Sequence, residues 1–331
     1  MKFKKCAALL LVSSCLLTGW KTSSAKKVDS KYVVASLEKG NKTKNIFADN
    51  LYKDIIDNSS NNSTVFNAVL QNLVDQKFPV NDDMKEDAAT IIKQIKSAYK
   101  SNYGDNYKDS LNQALTSAGY KNLSEYRQRM IKQIQYANFL LDYIDDHFDD
   151  VFNDYYQQCA PKYVSLIKIS VSDTSSPTDD ETSKLNEVKE LISNTDKSFG
   201  DIAQDYSDDS TSSKKGSLGI VDSKDTSGIA NSYGKDVFNA IEALSEGQVS
   251  DVITGDDGYY FVKVTSTDKK TLKKELKKTD IDSPLLAYDD YLQYVVYNSY
   301  KINYKDKDIK KIVQEVVNKA LEERKTERGE A

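Results

Sequence analysis

Tyr163-Val164-Ser165-Leu166-Ile167-Lys168-Ile169-Ser170-Val171 has the apolar alternation of a β-strand. Helical spacing follows in Leu185, Val188, Leu191 and Ile192, and Phe199-Gly200-Asp201-Ile202-Ala203-Gln204-Asp205-Tyr206-Ser207 reads as a short amphipathic helix. A polar loop, Asp208 to Lys215, leads into Gly216-Ser217-Leu218-Gly219-Ile220-Val221. The unit closes with Leu244-Ser245-Glu246-Gly247-Gln248-Val249-Ser250-Asp251 and the strand Gly258-Tyr259-Tyr260-Phe261-Val262-Lys263-Val264. The order β-α-α-β-α-β-β predicts a small antiparallel sheet with helices packed on it.

These words, in this order and at this spacing, resemble a parvulin-type peptidyl-prolyl isomerase domain. Lys168-Ile169-Ser170-Val171 stands where that family has His-Ile-Leu-Val. The pattern F-x-x-x-A-x-x-Y-S-x-D is read over Phe199 to Ser210, and G-x-L-G over Gly216 to Gly219. L-x-x-G-x-x-S falls on Leu244 to Ser250, and G-Y-x-x-x-K on Gly258 to Lys263.

The chain has 331 residues, enough for two ordinary domains, with 39% hydrophobic and 29% charged residues. Its 22 Tyr, against 10 Phe and one Trp, imply wide semi-polar contact surfaces as well as core. Net charge is −5, and the first nineteen residues hold Lys2, Lys4 and Lys5 without an acid, so the remainder is more acidic still. Nucleic acid rewards a basic stripe and is not an expected partner. With His147 its one histidine, the chain has no means to build a histidine-based metal site or a Ser-His-Asp triad; no metal and no cofactor are expected. Of the three cysteines, Cys6 and Cys15 lie near the N-terminus and Cys159 alone in the body, so no disulfide framework is expected.

Met1-Lys2-Phe3-Lys4-Lys5 is a basic n-region, and Cys6 to Leu17 is apolar but too short to span a bilayer. Together they predict a signal peptide over 1–25 and an extracytoplasmic protein. Leu17-Thr18-Gly19 begins like a bacterial lipobox, yet Trp20 has no thiol. Val12-Ser13-Ser14-Cys15 also fits a lipobox and makes Cys15 the lipidation candidate, whereas Ser23-Ser24-Ala25 suits ordinary cleavage. Anchoring on the outer face of the membrane and release both stay open.

Val33 to Leu37 reads as a short strand, followed by helices over Asn45 to Ile56, from Ser63 to Pro79, from Asn81 through Tyr99, over Tyr107 to Ala118, from Ser124 through Phe148, and a short one carrying Phe152, Tyr155 and Tyr156. The run resembles the N-terminal helical domain of the PrsA foldases and SurA-type chaperones. The matching words are Leu70-Gln71-Asn72-Leu73-Val74-Asp75, Tyr103-Gly104-Asp105-Asn106-Tyr107, Ala118-Gly119-Tyr120 and Tyr126-Arg127-Gln128-Arg129-Met130. Two further helices, Lys269 to Lys278 and Ser283 to Asn298, precede Lys301 to Lys310, which matches the family's closing strand and turn; from Lys319 the charged tail reads as a fraying end. The resemblance implies an α+β fold: a helical N/C-terminal chaperone domain (30–161, with 269–331 packing on it) and an inserted parvulin-like domain at 162–268. It implies unfolded or partly folded secreted proteins as partners, and homodimer formation through the helical domain as an option.

Prolyl isomerisation needs an apolar slot, a desolvated carbonyl and a few fixed dipoles, with no nucleophile, metal or cofactor. Carried over by position, the resemblance puts Asp209 at the family's Asp/Cys place, and Leu218, Val237 and Phe261 in the substrate pocket, Val237 where a Phe is usual. The two family histidines fall at Lys168 and Tyr260. Each has a plainer reading: Lys168 as a strand residue facing solvent, Tyr260 as sheet packing, Asp209 as a turn cap, Cys159 as a half-buried thiol, Asp256-Asp257 as solvated turn acids. Three functions are compatible: a PrsA-type foldase with a parvulin isomerase of weakened activity, a non-catalytic holdase using that unit for binding, and a wall-structural protein. The last is disfavoured by the lack of repeats, sorting motifs or stalks.

Overall fold

The computed structural model describes residues 27–330 apart from 29, 40, 41, 278 and 279. The expected signal peptide, with Cys15 and Trp20, lies outside the described residues. The chain divides into two compact units: 82–290, and the described residues up to Asn81 together with those from Tyr291 onward. The fold is α+β.

The discontinuous unit begins with Lys27–Val28 (β1), Lys31–Lys39 (β2) and Lys42–Phe47 (β3), an antiparallel meander in the order β1-β2-β3. Ala48–Ile56 (α1) and Asn62–Lys77 (α2) follow. Residues 45–47, expected to open a helix, are instead paired to β2, and α1 starts only after Phe47.

The second unit contains Asp82–Tyr103 (α3), Tyr107–Ser117 (α4), Leu123–Asp146 (α5) and Phe148–Cys159 (α6), then Lys162–Ser170 (β4). Asp179–Asn194 (α7), Phe199–Tyr206 (α8), Ser217–Val221 (β5), Ile229–Tyr233 (α9) and Lys235–Ala243 (α10) come next, followed by Ile253–Gly255 (β6), Gly258–Ser266 (β7) and Lys269–Leu276 (α11). The chain then returns to the first unit as Leu292–Ser299 (α12) and Lys307–Glu327 (α13).

In the discontinuous unit α13 packs on α2. Asp306 starts α13 by accepting from the backbone of Asp308 (2.8 Å) and Ile309 (3.0 Å), which satisfies donors the first turn leaves open. Ile312, Val313, Val317 and Ala320 form its buried stripe. The helix is therefore ordered past Lys319 as far as Glu327, because Ala320 continues the apolar period; the fraying expected there is not seen. Phe66 of α2 is fully buried, stacked on Tyr294 (5.0 Å, 24°) and edge-on to Tyr297 (5.1 Å, 70°). Tyrosine is used here as core with a polar handle: Tyr297 hydroxyl meets that of Tyr304 at 2.5 Å, and Tyr52 donates to Asp306 at 2.6 Å. The stretch expected as a closing strand is unpaired backbone before Asp306, and the helix expected over Ser283 to Asn298 is interrupted between Leu286 and Leu292.

In the second unit α5 supplies the longest apolar stripe, from Met130 and Ile131 through Ile134, Phe139 and Leu140 to Ile144. Cys159, at the end of α6, is fully buried rather than half-exposed. The sheet runs β5-β4-β7-β6, all antiparallel, as expected. Because side chains alternate along a strand, its two faces carry separate cores. Val164, Leu166, Tyr260 and Val262 pack with Val237 and Ile241 on one face. Ile167, Ile169 and Phe261 pack with Val188, Phe199, Ile202 and Ala203 on the other.

One glycine sets how closely α8 and β4 approach. Gly216 has φ +75°, and a Cβ there would lie 2.4 Å from the Leu166 carbonyl oxygen and 2.8 Å from Ala203 Cβ. Gly219 has a similar φ, +82°, with open space around it. Gly216→Ala is therefore expected to cost about 3 kcal/mol or more, combining backbone strain with a backbone collision. Gly219→Ala should cost only about 1–2 kcal/mol from conformation alone. Urea unfolding of the full chain measures both; equal losses would contradict the close-approach account.

Candidate functional site

The residues at the Tyr260 face are positioned by the motif words themselves. Phe199 and Ala203 are buried against the second core, and Ala203 must be small because Gly216 abuts it. Tyr206 joins that core with its hydroxyl on Glu187 at 2.8 Å. Ser207 Oγ accepts from the backbone N–H of Lys168 (3.0 Å) and of Asp209 (3.3 Å), while Asp208 N–H donates to the Lys168 carbonyl at 2.8 Å. The loop after α8 is thus stitched to β4 and delivers Asp209 to a buried position, 5% exposed. Asp209 Oδ1 accepts from Thr211 N–H at 2.8 Å, capping the 3-10 turn Ser210–Lys214.

A second anchor holds the opposite wall. Asp222, fully buried after β5, accepts from Tyr155 hydroxyl (2.8 Å), the Lys224 backbone (3.0 Å) and the Thr226 hydroxyl. Burial, then the Asp222 charge, pushes the Tyr155 hydroxyl pKa far up, so it stays a donor. Asp225 in turn accepts from the first amides of α9, Ile229 (2.5 Å) and Ala230 (3.0 Å). Lys162 Nζ caps the end of α10 through the carbonyls of Ile241 (3.0 Å), Glu242 (2.6 Å) and Leu244 (3.1 Å). These contacts fix Tyr233, at the end of α9, beside Tyr260 with ring centroids 6.2 Å apart and near-perpendicular planes (79°).

The result is a polar chain set in an apolar face. Tyr233 hydroxyl bonds the Asp209 carboxylate, and burial followed by the Asp209 charge pushes Tyr233 up to about 12. Tyr260 hydroxyl donates to Asp257, and burial, then that hydrogen bond, raises its pKa well above the ordinary tyrosine value. Lys168 lies directly opposite Tyr260 in the β4–β7 register. Its ammonium sits 5.6 Å from the Tyr260 ring centroid and 2.5 Å from Asp257 Oδ2. Burial alone would raise Asp257, but the hydrogen bonds from Lys168 and Tyr260 together carry it below the usual carboxylate range. Leu218, Phe238, Leu244 and Ile253 surround the group as half-buried apolar side chains.

Several sequence-level expectations are sharpened here. Lys168 does not face open solvent: its side chain is 16% exposed and ion-paired. Asp257, expected as a solvated turn acid, bridges Lys168 and Tyr260. Asp209, Lys168, Tyr260, Leu218 and Val237 are on one face of the sheet. Val237 is 1% exposed and packs inward, leaving its neighbour Phe238 half-buried at the rim. Phe261 is in the core across the sheet, as strand alternation from Tyr260 requires. Tyr233 was not singled out by its sequence; it is brought to the site by the path of the chain from Asp222 through α9. Among the described residues no group of three or more His, Cys, Asp or Glu side chains is placed to hold a metal ion.

Residues 166–266 match the family model described as Rotamase, PPIC-type PPIASE domain. This unit is thus a parvulin-class domain. The chain is similar to the foldase protein PrsA of Staphylococcus aureus, 32% identical over 141 residues that cover 40% of this chain and 41% of that protein, and equally to PrsA of Staphylococcus epidermidis. It spans about two fifths of the length of these curated relatives. Among solved structures, it is similar to PrsA from Bacillus subtilis (21% identity, TM-score 0.38, covering 85% of this chain and 97% of that one) and from Streptococcus pneumoniae (20%, 0.38, 85% and 99%).

The Lys168–Asp257 pair carries a pH signature. A carboxylate with a depressed folded pKa stabilises fully above its unfolded value, about 3.9, and loses that stabilisation as pH falls through the folded value. Asp257 is 67% exposed at its side chain, so the contribution near neutrality is screened to below about 1 kcal/mol. Asp257→Asn should therefore lower stability slightly at pH 7 and flatten the acid limb of the stability–pH curve. An acid limb identical to that of the parent would contradict this pairing.

Proposed function

We propose that the protein is a PrsA-type foldase acting outside the cytoplasm on unfolded or partly folded secreted chains, and that its parvulin unit isomerises prolyl bonds. The observation that carries the catalytic part is Asp209, buried, bonded to Tyr233 and close to Tyr260 on an apolar face. The uncatalysed barrier, about 18–20 kcal/mol, comes from amide resonance, which places partial negative charge on the carbonyl oxygen. An apolar surround of Leu218, Phe238 and Ile253 strips water from that oxygen. The Asp209 charge beside it disfavours the resonance form further, so the twisted amide gains relative to the planar one. Tyr233 and Tyr260, both held neutral, keep the site's dipoles fixed.

The departures from the family's usual residues are consistent with this scheme. Lys168 and Tyr260 occupy the two histidine positions and lock together through Asp257, so they position the face rather than exchange protons. The similarity to PrsA supports the foldase reading. No helix among the described residues is long and apolar enough to cross a membrane; anchoring would rest on Cys15 and release on cleavage near Ala25. A non-catalytic holdase is the second reading, favoured by the engagement of Lys168 with Asp257.

The test is catalysed cis–trans isomerisation of a proline-containing tetrapeptide by the full chain. We expect a measurable rate, a kcat/KM about tenfold lower in Asp209→Ala, and, since no histidine is in the site, a flat profile between about pH 6 and 9. No catalysis by a folded protein that still suppresses aggregation of a client would select the holdase. An Asp209→Ala variant with full activity would remove Asp209 from the site.

A further inference from the structure

Burial alternates along the β-meander of the discontinuous unit, but its outward face is not the polar one expected. In β3, Asn45 and Phe47 are half-buried while Lys44 and Ile46 are exposed. Val33 of β2 lies opposite Phe47 and is half-buried with it, whereas Tyr32 and Val34 are exposed. The half-buried side is joined to α1 through Lys31, which pairs with Asp49 at 3.3 Å and lies 6.0 Å from the Phe47 ring centroid. A sheet covered on one side ordinarily turns polar residues outward. Here the outward side presents Tyr32, Val34 and Ile46, at 44, 41 and 42% exposure. Lys27 stands directly opposite Tyr32, with its ammonium 4.6 Å from the ring centroid.

Apolar exposure is concentrated in this segment. Of the seven large apolar side chains exposed among the described residues, four lie on the meander and two on α1, with Tyr103 alone elsewhere. Single exposed apolar groups are ordinary, whereas a cluster marks an interaction surface. The same segment reverses the sign of the chain. Residues 27–47 hold Lys27, Lys31, Lys39, Lys42 and Lys44 against Asp29 and Glu38, a net +3. The whole chain is −5, so everything outside this segment carries −8.

The sign of the charge selects the partner. A second copy would bring a like-charged face against this one, and an unfolded client of unspecified charge has no need of a basic one. An anionic lipid surface suits both halves of the face. Its headgroups attract the lysines, tyrosine favours the headgroup level, and aliphatic side chains favour the layer below. β1 opens twelve residues after Cys15, so an anchor there would hold the meander within about 40 Å of the membrane.

We propose that the outward face of the meander, with Tyr32, Val34, Ile46, Lys27 and Lys44, docks the protein on an anionic lipid bilayer. This goes beyond the foldase reading and rests on it in one respect, that the bilayer is met from outside the cytoplasm.

The test uses the chain from Lys26 onward, which keeps every described residue and lacks both the apolar leader and Trp20, the one tryptophan. Tyr32→Trp and, as control, Tyr103→Trp then each carry a single indole. Vesicles are phosphatidylcholine, alone or mixed with phosphatidylglycerol. The expected result is a saturable shift of Tyr32→Trp emission to shorter wavelength on the mixed vesicles only, reversed by added salt, with Tyr103→Trp unmoved. K27Q/K44Q should lower the partition coefficient about tenfold or more, while the same charge loss at exposed positions of α11, K270Q/K274Q, leaves it within about twofold. Both double variants should keep the parent's near-ultraviolet circular dichroism. Prolyl isomerase rate and the cell fraction that holds the chain are measured separately, so failure of the foldase reading is told apart from failure of docking. Equal binding to phosphatidylcholine alone, no binding to the mixed vesicles, or equal losses in the two lysine pairs would overturn the proposal. So would a Tyr32→Trp shift produced without lipid, by raising protein concentration or adding an unfolded client, since the face would then belong to a second copy or to a client.

Discussion

β4 and β7 pair from Tyr163 opposite Ser266 to Ser170 opposite Gly258, and the parvulin unit depends on that register. Gly258 permits it: a Cβ there would lie 2.2 Å from the Ile169 carbonyl oxygen, and the residue has φ +152°. Slipping by one residue would exchange the two faces of β7. Tyr260 would then point into the α7–α8 core and Phe261 into the polar network, burying a phenol without Asp257 and leaving Lys168 without its partner. The two cores and the candidate catalytic face are consequences of one alternation.

Within the face, two interactions of unequal strength do different jobs. Lys168–Asp257–Tyr260 is a partly exposed bridge across the strand pair and its hairpin turn; it sets geometry more than stability. Tyr233–Asp209 is more enclosed, and there a hydrogen bond from a neutral phenol to a carboxylate weighs more than it would in water. Behind it, Asp222 joins α6 to the loop after β5 through Tyr155, so the position of Tyr233 is inherited from the helices as well as from the sheet. The face is held by hydrogen bonds between carboxylates and phenols, with no histidine in it.

The sheet and the two helices following its first strand were legible in the sequence because period-2 and period-3.6 patterns are strong there: Leu166 and Ile167 alternate between faces, and Leu185 and Val188 recur at helical spacing. Asp209 and Leu218 could be located because short words fix them relative to glycines that the backbone requires, Gly216 above all. Tyr233 and Phe238 were not legible, since their place depends on the path of the Asp222–Tyr233 loop and on buried hydrogen bonds between distant segments. Phe261, put in the pocket by the resemblance, packs in the core across the sheet, because strand alternation sends it and Tyr260 to opposite faces. The boundary near Asn45 failed for a similar reason: an apolar residue at Ile46 suits a strand edge as well as a helix start.

In the proposed mechanism a prolyl peptide is turned over on the Tyr260 face. Two-dimensional exchange spectroscopy of an Ala-Pro-containing peptide with a substoichiometric amount of the labelled full chain reads both location and turnover. We predict exchange cross-peaks between the cis and trans peptide, with broadening of the amides of Leu218, Phe238 and Tyr260 and none at Phe199 or Ile202. Exchange that persists while broadening maps to the Phe199 side, or binding on the Tyr260 face without cross-peaks, would contradict it.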